Sequence, residues 1–560
     1  MIFNQNLFNY IVYNQFGGKK GNKPKWKTFK HNGVMFPEPY KPHKIPIIYE
    51  DEKIVLDPIS EEYATIYAKF TDTEYIKNKT FTKNFFNDWK IYLKKGGFSK
   101  ISDLNKCNFK LIYDYLIKIK EEKLNISKEK KEENKEKKDE EEKKYKIAFV
   151  DGKEQMAGNF RMEPPGIFMG RGCHPLAGKI KKRILPEDIT LNIDKESKIP
   201  ELPSFYKDRK WGKIINDNTL EWLASWKDTI TDKVKYVWLG NKSDFKAKSD
   251  LNKFETARKL ASKINFIRRT NMNNLIDEKS DEKTKQLACA LYLIDNLALR
   301  VGNEKGEDEA DTVGVCSLRV EHIKLLEDNF ISLDFLGKDS IRYQNKVKVH
   351  EYIYKSLISF IKNKKKDDEI FDQINTNLLN NYLKSMMKDL TAKVFRTYNA
   401  SILFQQEIDL INDKFDNIKD KENQLNLILD LYNRANLKVA TLCNHQKNVS
   451  KSFNDQIDNI NSKIKELNDK KKELQKEDNT DGNKEKIKKI NDKIKESKGK
   501  KDLKIELKNV SLTTSKTNYI DPRITIAFLK KHDISLEKIF SQTLIDKFFW
   551  AMDVDTNWKF

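Results

Sequence analysis

Near the C-terminal end, Ser515-Lys516-Thr517-Asn518-Tyr519-Ile520-Asp521-Pro522-Arg523-Ile524 sets a tyrosine in a short polar segment. An ordinary phenol, with a pKa of about 10, is ionised to only about one part in a thousand at pH 7, so a tyrosine nucleophile needs cationic help. Elsewhere the chain supplies cations and donors in Leu297-Ala298-Leu299-Arg300-Val301-Gly302-Asn303-Glu304-Lys305, Leu336-Gly337-Lys338-Asp339-Ser340-Ile341-Arg342-Tyr343, Lys393-Val394-Phe395-Arg396-Thr397-Tyr398-Asn399-Ala400 and Leu442-Cys443-Asn444-His445-Gln446. Attack of a phenol on a phosphodiester builds negative charge on a crowded phosphorus centre, and the site must meet that charge where it develops. Planar guanidinium groups fit non-bridging oxygens bidentately, which assigns Arg300 and Arg396 to a clamp, with His445 as a third donor. An alkoxide leaving group needs a proton, and Lys338 is the candidate general acid.

The elements that must hold these groups can be read from periodicity. Leu287, Leu291, Ile294 and Ala298 repeat at helical spacing, and Gly302 is placed to end that helix, so Arg300 is expected in its last turn. Alternation of Ile331, Leu333 and Phe335, then Gly337-Lys338-Asp339-Ser340, then Ile341, Tyr343, Val347 and Val349, predicts a hairpin with Lys338 at its tip. Leu425, Ile428, Tyr432, Val439 and Leu442 form the stripe of a second long helix, with His445 three residues beyond. Phe453, Ile457, Ile460, Ile464, Leu467 and Leu474 keep a four-three rhythm, Asn479-Thr480-Asp481-Gly482 is turn chemistry, and Ile487, Ile490 and Ile494 resume the rhythm. That predicts two antiparallel helices sharing a narrow seam, although a generic dimerisation coiled coil would show the same rhythm. Taken singly, the site residues have plainer readings: Arg300 as a helix-end cation, His445 as a core histidine, Lys338 as a surface lysine and Tyr519 as a buried aromatic.

With 560 residues, and 107 Lys and Arg against 85 Asp and Glu for a formal charge of +22, the chain is long enough for several domains and calls for a polyanionic partner. Lysine-rich coding bias with a solvated surface is the competing explanation of the charge alone. Cys107, Cys173, Cys289, Cys316 and Cys443 lie far apart without a CxxC pair, which argues against disulfides and a thiolate zinc site and implies a reducing compartment. No apolar run reaches the roughly 18 residues a membrane span requires, so a soluble protein without membrane attachment is expected. Residues 1–24 open on Met1-Ile2-Phe3-Asn4, lack the pattern of a secretory signal, and are expected to be a disordered extension.

Residues 25–238 alternate short apolar runs with Pro and Gly, which reads as mixed α/β. A lysine/glutamate run from about Lys118 to Lys146 has helical composition without an apolar stripe, so it is expected to lie in solvent. Gly172-Cys173-His174-Pro175-Leu176-Ala177-Gly178-Lys179-Ile180 imitates a phosphate loop but has one residue too many and no Ser or Thr after its lysine. No ATP site is evident. Glu304, Glu307, Asp308, Glu309 and Asp311 read as a solvent-like acidic loop rather than a metal cage, so no cofactor or metal is expected. The aromatic run Phe548-Phe549-Trp550 can dock the last segment, 509–560, on the rest.

In their order and spacing the motifs around Arg300, Lys338, Arg396, His445 and Tyr519 closely resemble those of the eukaryotic type IB DNA topoisomerases, and the likeness covers essentially Lys25 to Phe560. The resemblance implies a multidomain α+β protein: cap and DNA-binding subdomains at 25–238, a mainly helical catalytic core at 239–450, an antiparallel coiled-coil linker at 451–508 and a small helical C-terminal domain at 509–560, closing as a bilobed clamp on double-stranded DNA. It implies that these five residues are catalytic, with a 3′-phosphotyrosyl link at Tyr519, and that Arg171, Asp339 and Asn518 lie beside the cleaved step, where camptothecin-type poisons insert, with Lys393 a further DNA contact. It also implies that His174-Pro175-Leu176 and the acidic loop are opposing lips, that the charged helices near Lys118 to Lys146 face DNA, and that the protein is a nuclear monomer. One departure is Met169, where many relatives carry arginine, which puts one contact in doubt. A tyrosine recombinase shares the chemistry, but its second arginine normally follows a His-x-x-Arg pattern, whereas Lys393-Val394-Phe395-Arg396 begins with lysine. A non-catalytic chromatin clamp is the rival of another class, and retention of all five side chains argues against it.

Overall fold

The computed structural model describes residues 23–303, 305–306, 308–415, 425–450, 452–476 and 481–560. The opening Met1–Phe8 segment, Glu304 and Glu307 of the acidic loop, and Asn479 and Thr480 of the expected turn lie outside the described residues. The chain divides into two compact units, one taking the described residues up to Lys248 together with Lys305–Asp311, the other taking the remainder from Ser249 onward.

In the first unit, mixed α/β character is built from several small sheets. A three-stranded antiparallel sheet orders Phe29–His31, Ile147–Val150 and Lys153–Met156, and a four-stranded one orders Lys213–Ile215, Ile189–Asn192, Trp222–Lys227 and Val234–Trp238, with a parallel first pair. Phe29, Val34, Leu191, Leu223 and Val237 share one core. A second core packs the helices Pro58–Ala68 and Lys79–Lys95, where Tyr67 stacks on Phe85 at 4.1 Å and Trp89 is fully buried. The lysine/glutamate run forms the helices Lys110–Leu124 and Lys128–Lys143, and the second is exposed at every position but one. The exception corrects the expectation of a wholly solvated run: Glu142 is buried because Arg161 donates to both its oxygens, at 2.6 and 2.5 Å, with Lys146 at 3.2 Å. That grip holds the Glu142 carboxyl down at about 2, hydrogen bonding from Arg161 being the main cause. The acidic loop is likewise not free in solvent, since Glu309 pairs with Lys233 within this unit.

Helices dominate the second unit. A long helix, Asp244–Ile276, continues into it and is followed by Glu282–Leu297, capped at its start by Asp281 accepting from Thr284 N. The predicted hairpin is present: Phe330–Leu336 pairs antiparallel with Arg342–Lys348, with Phe335 opposite Tyr343, and Ile323–Leu325 adds a third strand. Helices Ala392–Phe415 and Leu425–Leu442 pack together and bury Phe404, Tyr432 and Val439 against Ile524 and Phe528 of the C-terminal segment. Phe453–Lys476 and Asp481–Glu506 pack along one another, with Ile457, Ile460, Ile464, Leu467, Ile487 and Ile490 half-buried, Ile494 buried and most lysines exposed. In the last segment Phe548 is fully buried and Trp550 stacks on Phe254, but Phe549 points outward, so the aromatic run docks through two of its three rings. No helix among the described residues is long and apolar enough to cross a membrane.

Candidate active site

The helix Glu282–Leu297 ends earlier than its periodicity predicts. Ala298 takes the left-handed conformation with φ 48°, so Arg300 lies beyond the helix and not in its last turn. The cause is tertiary: Asn399 donates to Asp295 O and Arg396 to Ala298 O, both at 2.5 Å, satisfying carbonyls that a longer helix would have used. Past this point the backbone is fixed by Val315 N donating to Arg300 O and Cys316 N to Val301 O. Gly302, at φ +79°, has a different task, because a Cβ there would meet Gly314 Cα at 2.7 Å.

Arg396 is placed by the helix Ala392–Phe415 and is only 6% exposed. Its Nη1 binds Ala298 O, its Nη2 donates to Cys443 O at 2.8 Å, and the same nitrogen lies 3.5 Å from His445 Nε2. His445 sits just past the helix Leu425–Leu442, where Asn444 turns left-handed at φ 51°, Asn444 N donates to Thr441 O and His445 N donates to Ala440 O. This Schellman-type ending carries the imidazole off the apolar stripe and into the cluster.

Tyr519 closes the short helix Leu512–Asn518, with its N–H on Ser515 O. Arg300 Nη1 donates to Tyr519 Oη at 3.2 Å, the Arg396 guanidinium lies 5.1 Å from the centre of the Tyr519 ring, and the His445 ring stacks on it at 5.2 Å. Four of the residues singled out by type and motif, spread over more than 200 positions of sequence, therefore meet, with Arg300, Arg396 and His445 around the Tyr519 phenol. Among the described residues neither Arg300 nor Arg396 pairs with a carboxylate, while Arg396 Nε and His445 Nδ1 are buried without a hydrogen-bond partner. Burial first, then Arg396 and Arg300, push the His445 imidazole down to about 3, so it is neutral near pH 7. A neutral ring that accepts through Nε2 carries its proton on Nδ1, the nitrogen left with a hydrogen bond to give.

Lys338 is at the hairpin tip as expected, exposed, with the next two residues, Asp339 and Ser340, both left-handed at φ 66° and 57°. No hydrogen bond joins it to the other four among the described residues. Its hairpin is nevertheless tied to the cluster, because Asn444 Nδ2 and Gln446 Nε2 both donate to Arg342 O, at 3.2 and 3.1 Å. Lys393 and Asn518 are exposed in the same unit, and Arg171 is exposed in the other, between the left-handed Gly170 and Gly172. Residues that type and spacing had not marked complete the frame: Ser511 N donates to His445 O, and Ser515 Oγ donates to Asn436 Oδ1 at 2.6 Å. Asn444, a residue type that favours the left-handed turn, was the one signal in sequence for the bend that delivers His445.

A phenol bounded by two uncompensated guanidinium groups and a neutral imidazole belongs to the class of sites that attack or hold an oxyanionic centre. Three family models match the chain in succession: the eukaryotic DNA topoisomerase I DNA binding fragment over residues 24–239, its catalytic core over 242–478, and the C-terminal topoisomerase domain over 491–560. The chain is 44% identical to DNA topoisomerase 1 beta of Arabidopsis thaliana over 96% of its own length and 59% of that protein. It is 41% identical to DNA topoisomerase 1 of Homo sapiens over 96% of its length and 72% of that protein, and 40% identical to the Candida albicans protein of that name over 96% and 80%. The chain belongs to the eukaryotic DNA topoisomerase I family.

Proposed function

We propose that this protein relaxes positive and negative supercoils in double-stranded DNA by cutting and resealing one strand. The observation that carries the reading is the contact of Arg300 Nη1 with Tyr519 Oη at 3.2 Å, inside a cluster that also holds Arg396 and His445. Tyr519 Oη gives up its proton to solvent and attacks phosphorus, the P–O5′ bond breaks, its electron pair goes to O5′, and Lys338 supplies the proton there and is reprotonated from solvent. The product is a 3′-phosphotyrosine and a free 5′ hydroxyl, which swivels about the intact strand and then attacks in reverse. Arg300, Arg396 and His445 hold the non-bridging oxygens; the buried donors Arg396 Nε and His445 Nδ1 fit that task. Because one phosphodiester is exchanged for another phosphate ester, the reaction is expected to need neither ATP nor divalent metal.

In this reading residues 25–238 form the cap and DNA-binding subdomains, 239–450 the catalytic core, 451–508 a coiled-coil linker and 509–560 the C-terminal domain, acting as a bilobed clamp in a nuclear monomer. The chain spans 59% of the Arabidopsis relative, and these assignments concern the region both share. Arg171, Asp339 and Asn518 flank the cut step, where a camptothecin-type molecule would stack, and Lys393 meets the DNA backbone; the net charge of +22 supports this partner. The test is relaxation of supercoiled plasmid in EDTA without ATP. The unsubstituted protein is expected to relax it, and Tyr519→Phe to bind DNA with no detectable relaxation. Nicking by the phenylalanine variant would remove Tyr519 from the role.

A further inference from the structure

The helix that presents Tyr519 is seven residues long and ends in three consecutive carbonyls, each taken by a side chain from a different part of the second unit. Lys547 Nζ donates to Thr517 O at 3.1 Å, Lys253 Nζ to Asn518 O at 3.1 Å, and Ser401 Oγ to Tyr519 O at 3.0 Å. Between the two ammonium groups lies Asp250, buried, with one oxygen 3.8 Å from Lys253 and the other 3.9 Å from Lys547. Lys547 is 6% exposed, too deep for a surface cation without a task, and no arrangement of Arg300, Arg396 and His445 uses it.

We propose that Asp250, Lys253 and Lys547 are positioning residues for the tyrosine: the two lysines grip the carbonyl end of its helix, Asp250 balances their charge, and together with Ser401 they fix the direction in which the phenol points. The physical case is that the last carbonyls of a helix carry its negative end and lack internal partners, so cations there hold it most firmly. So short a helix has little rigidity of its own. Ser401 Oγ also accepts from Asp521 N at 3.0 Å, so the Tyr519 carbonyl and the amide two residues beyond it are pinned to one hydroxyl. Displacement of a nucleophile by 1 Å can cost about a hundredfold in rate, and loosening this grip displaces the phenol without touching the arginines.

The proposal rests on Tyr519 being the nucleophile, and the experiment separates the two. Adduct formation is followed in a single turnover on DNA whose cleaved strand cannot religate, for the unsubstituted protein, Lys253→Met, Lys547→Met and Asp250→Asn, recording rate constant and final amplitude separately. The lysine variants are expected to form the adduct about ten to a hundred times more slowly at unchanged amplitude. A lower amplitude with an unchanged rate constant would mean that the lysines only stabilise the fold, and unchanged values of both would mean they do nothing; either result overturns the proposal. Noncovalent binding, measured with each substitution added to Tyr519→Phe, is expected to keep its salt dependence. A slope reduced by about one for each lysine would make them phosphate ligands instead. Should Lys547→Met fail to fold, Lys253→Met carries the test, since that side chain is 34% exposed. If the unsubstituted protein forms no adduct at Tyr519, the nucleophile assignment has failed and the positioning role falls with it.

Discussion

Two buried histidines lie in opposite settings. In the sheet region His31 has both ring nitrogens occupied, Nδ1 accepting from Gly33 N and Nε2 on Asn192 O, each at 3.0 Å, and nearby Arg161 is closed on Glu142 by two hydrogen bonds. Around Tyr519 the chain buries His445 and Arg396 with a nitrogen of each unpartnered and no carboxylate on either arginine among the described residues. A protein built only for stability closes such groups, because an unsatisfied buried donor costs on the order of 1–3 kcal/mol. The first region is complete in itself. The second leaves two buried donors open, the opening that the proposed function fills with a phosphate.

The sharpest way to break this contrast is to remove one arginine from each region. Arg396→Ala is expected to slow DNA cleavage by about a thousandfold or more, the scale of a single arginine in phosphoryl transfer. Arg161→Ala is expected to leave cleavage within about twofold while lowering the thermal midpoint, because Glu142 loses its main partner. Equal effects on rate would erase the distinction. Lys338→Ala should follow, with a loss of about a hundredfold or more on ordinary DNA. On a substrate with sulfur in the bridging 5′ position, which leaves without a proton, most of that loss is expected to vanish; equal loss on both substrates would take Lys338 out of the acid role.

The smallest effect concerns pH. Burial lowers His31 to about 4 from an ordinary 6.5. Above 6.5 the ring is neutral in folded and unfolded chains alike; between 6.5 and 4 only the unfolded chain takes the proton, so stability falls as pH falls through that window. The loss attributable to His31 is on the order of 1–3 kcal/mol. It should appear as a thermal midpoint that drops on acidification more steeply in the parent than in His31→Gln. Equal slopes would show that His31 accepts its proton inside the fold.

Much of this frame was legible before any coordinates. The Lys338 hairpin declared itself by alternation of Ile331, Leu333 and Phe335, and the paired helices by the rhythm from Phe453 to Ile494, because both patterns answer to one buried face. The end of the helix before Arg300 was misread because Arg396 and Asn399, about a hundred residues away, take over its final carbonyls. Glu142 was misread for the same kind of reason: its composition says solvent, and an arginine 19 residues on, outside its helix, says otherwise. Lys253 and Lys547 gave no signal at all, since their partners are main-chain oxygens that have no residue type to recognise. Side-chain patterns disclose local periodicity; they do not disclose which distant donor will end an element.

The central claim concerns which atom becomes bonded to DNA. Trapping the reaction midway with denaturant, digesting the protein and sequencing the peptide that retains a nucleotide tests it directly. The account predicts a single modified peptide containing Tyr519, joined through a 3′ phosphate and leaving a free 5′ hydroxyl on the other fragment. A nucleotide attached to any other residue, or through its 5′ end, would contradict it.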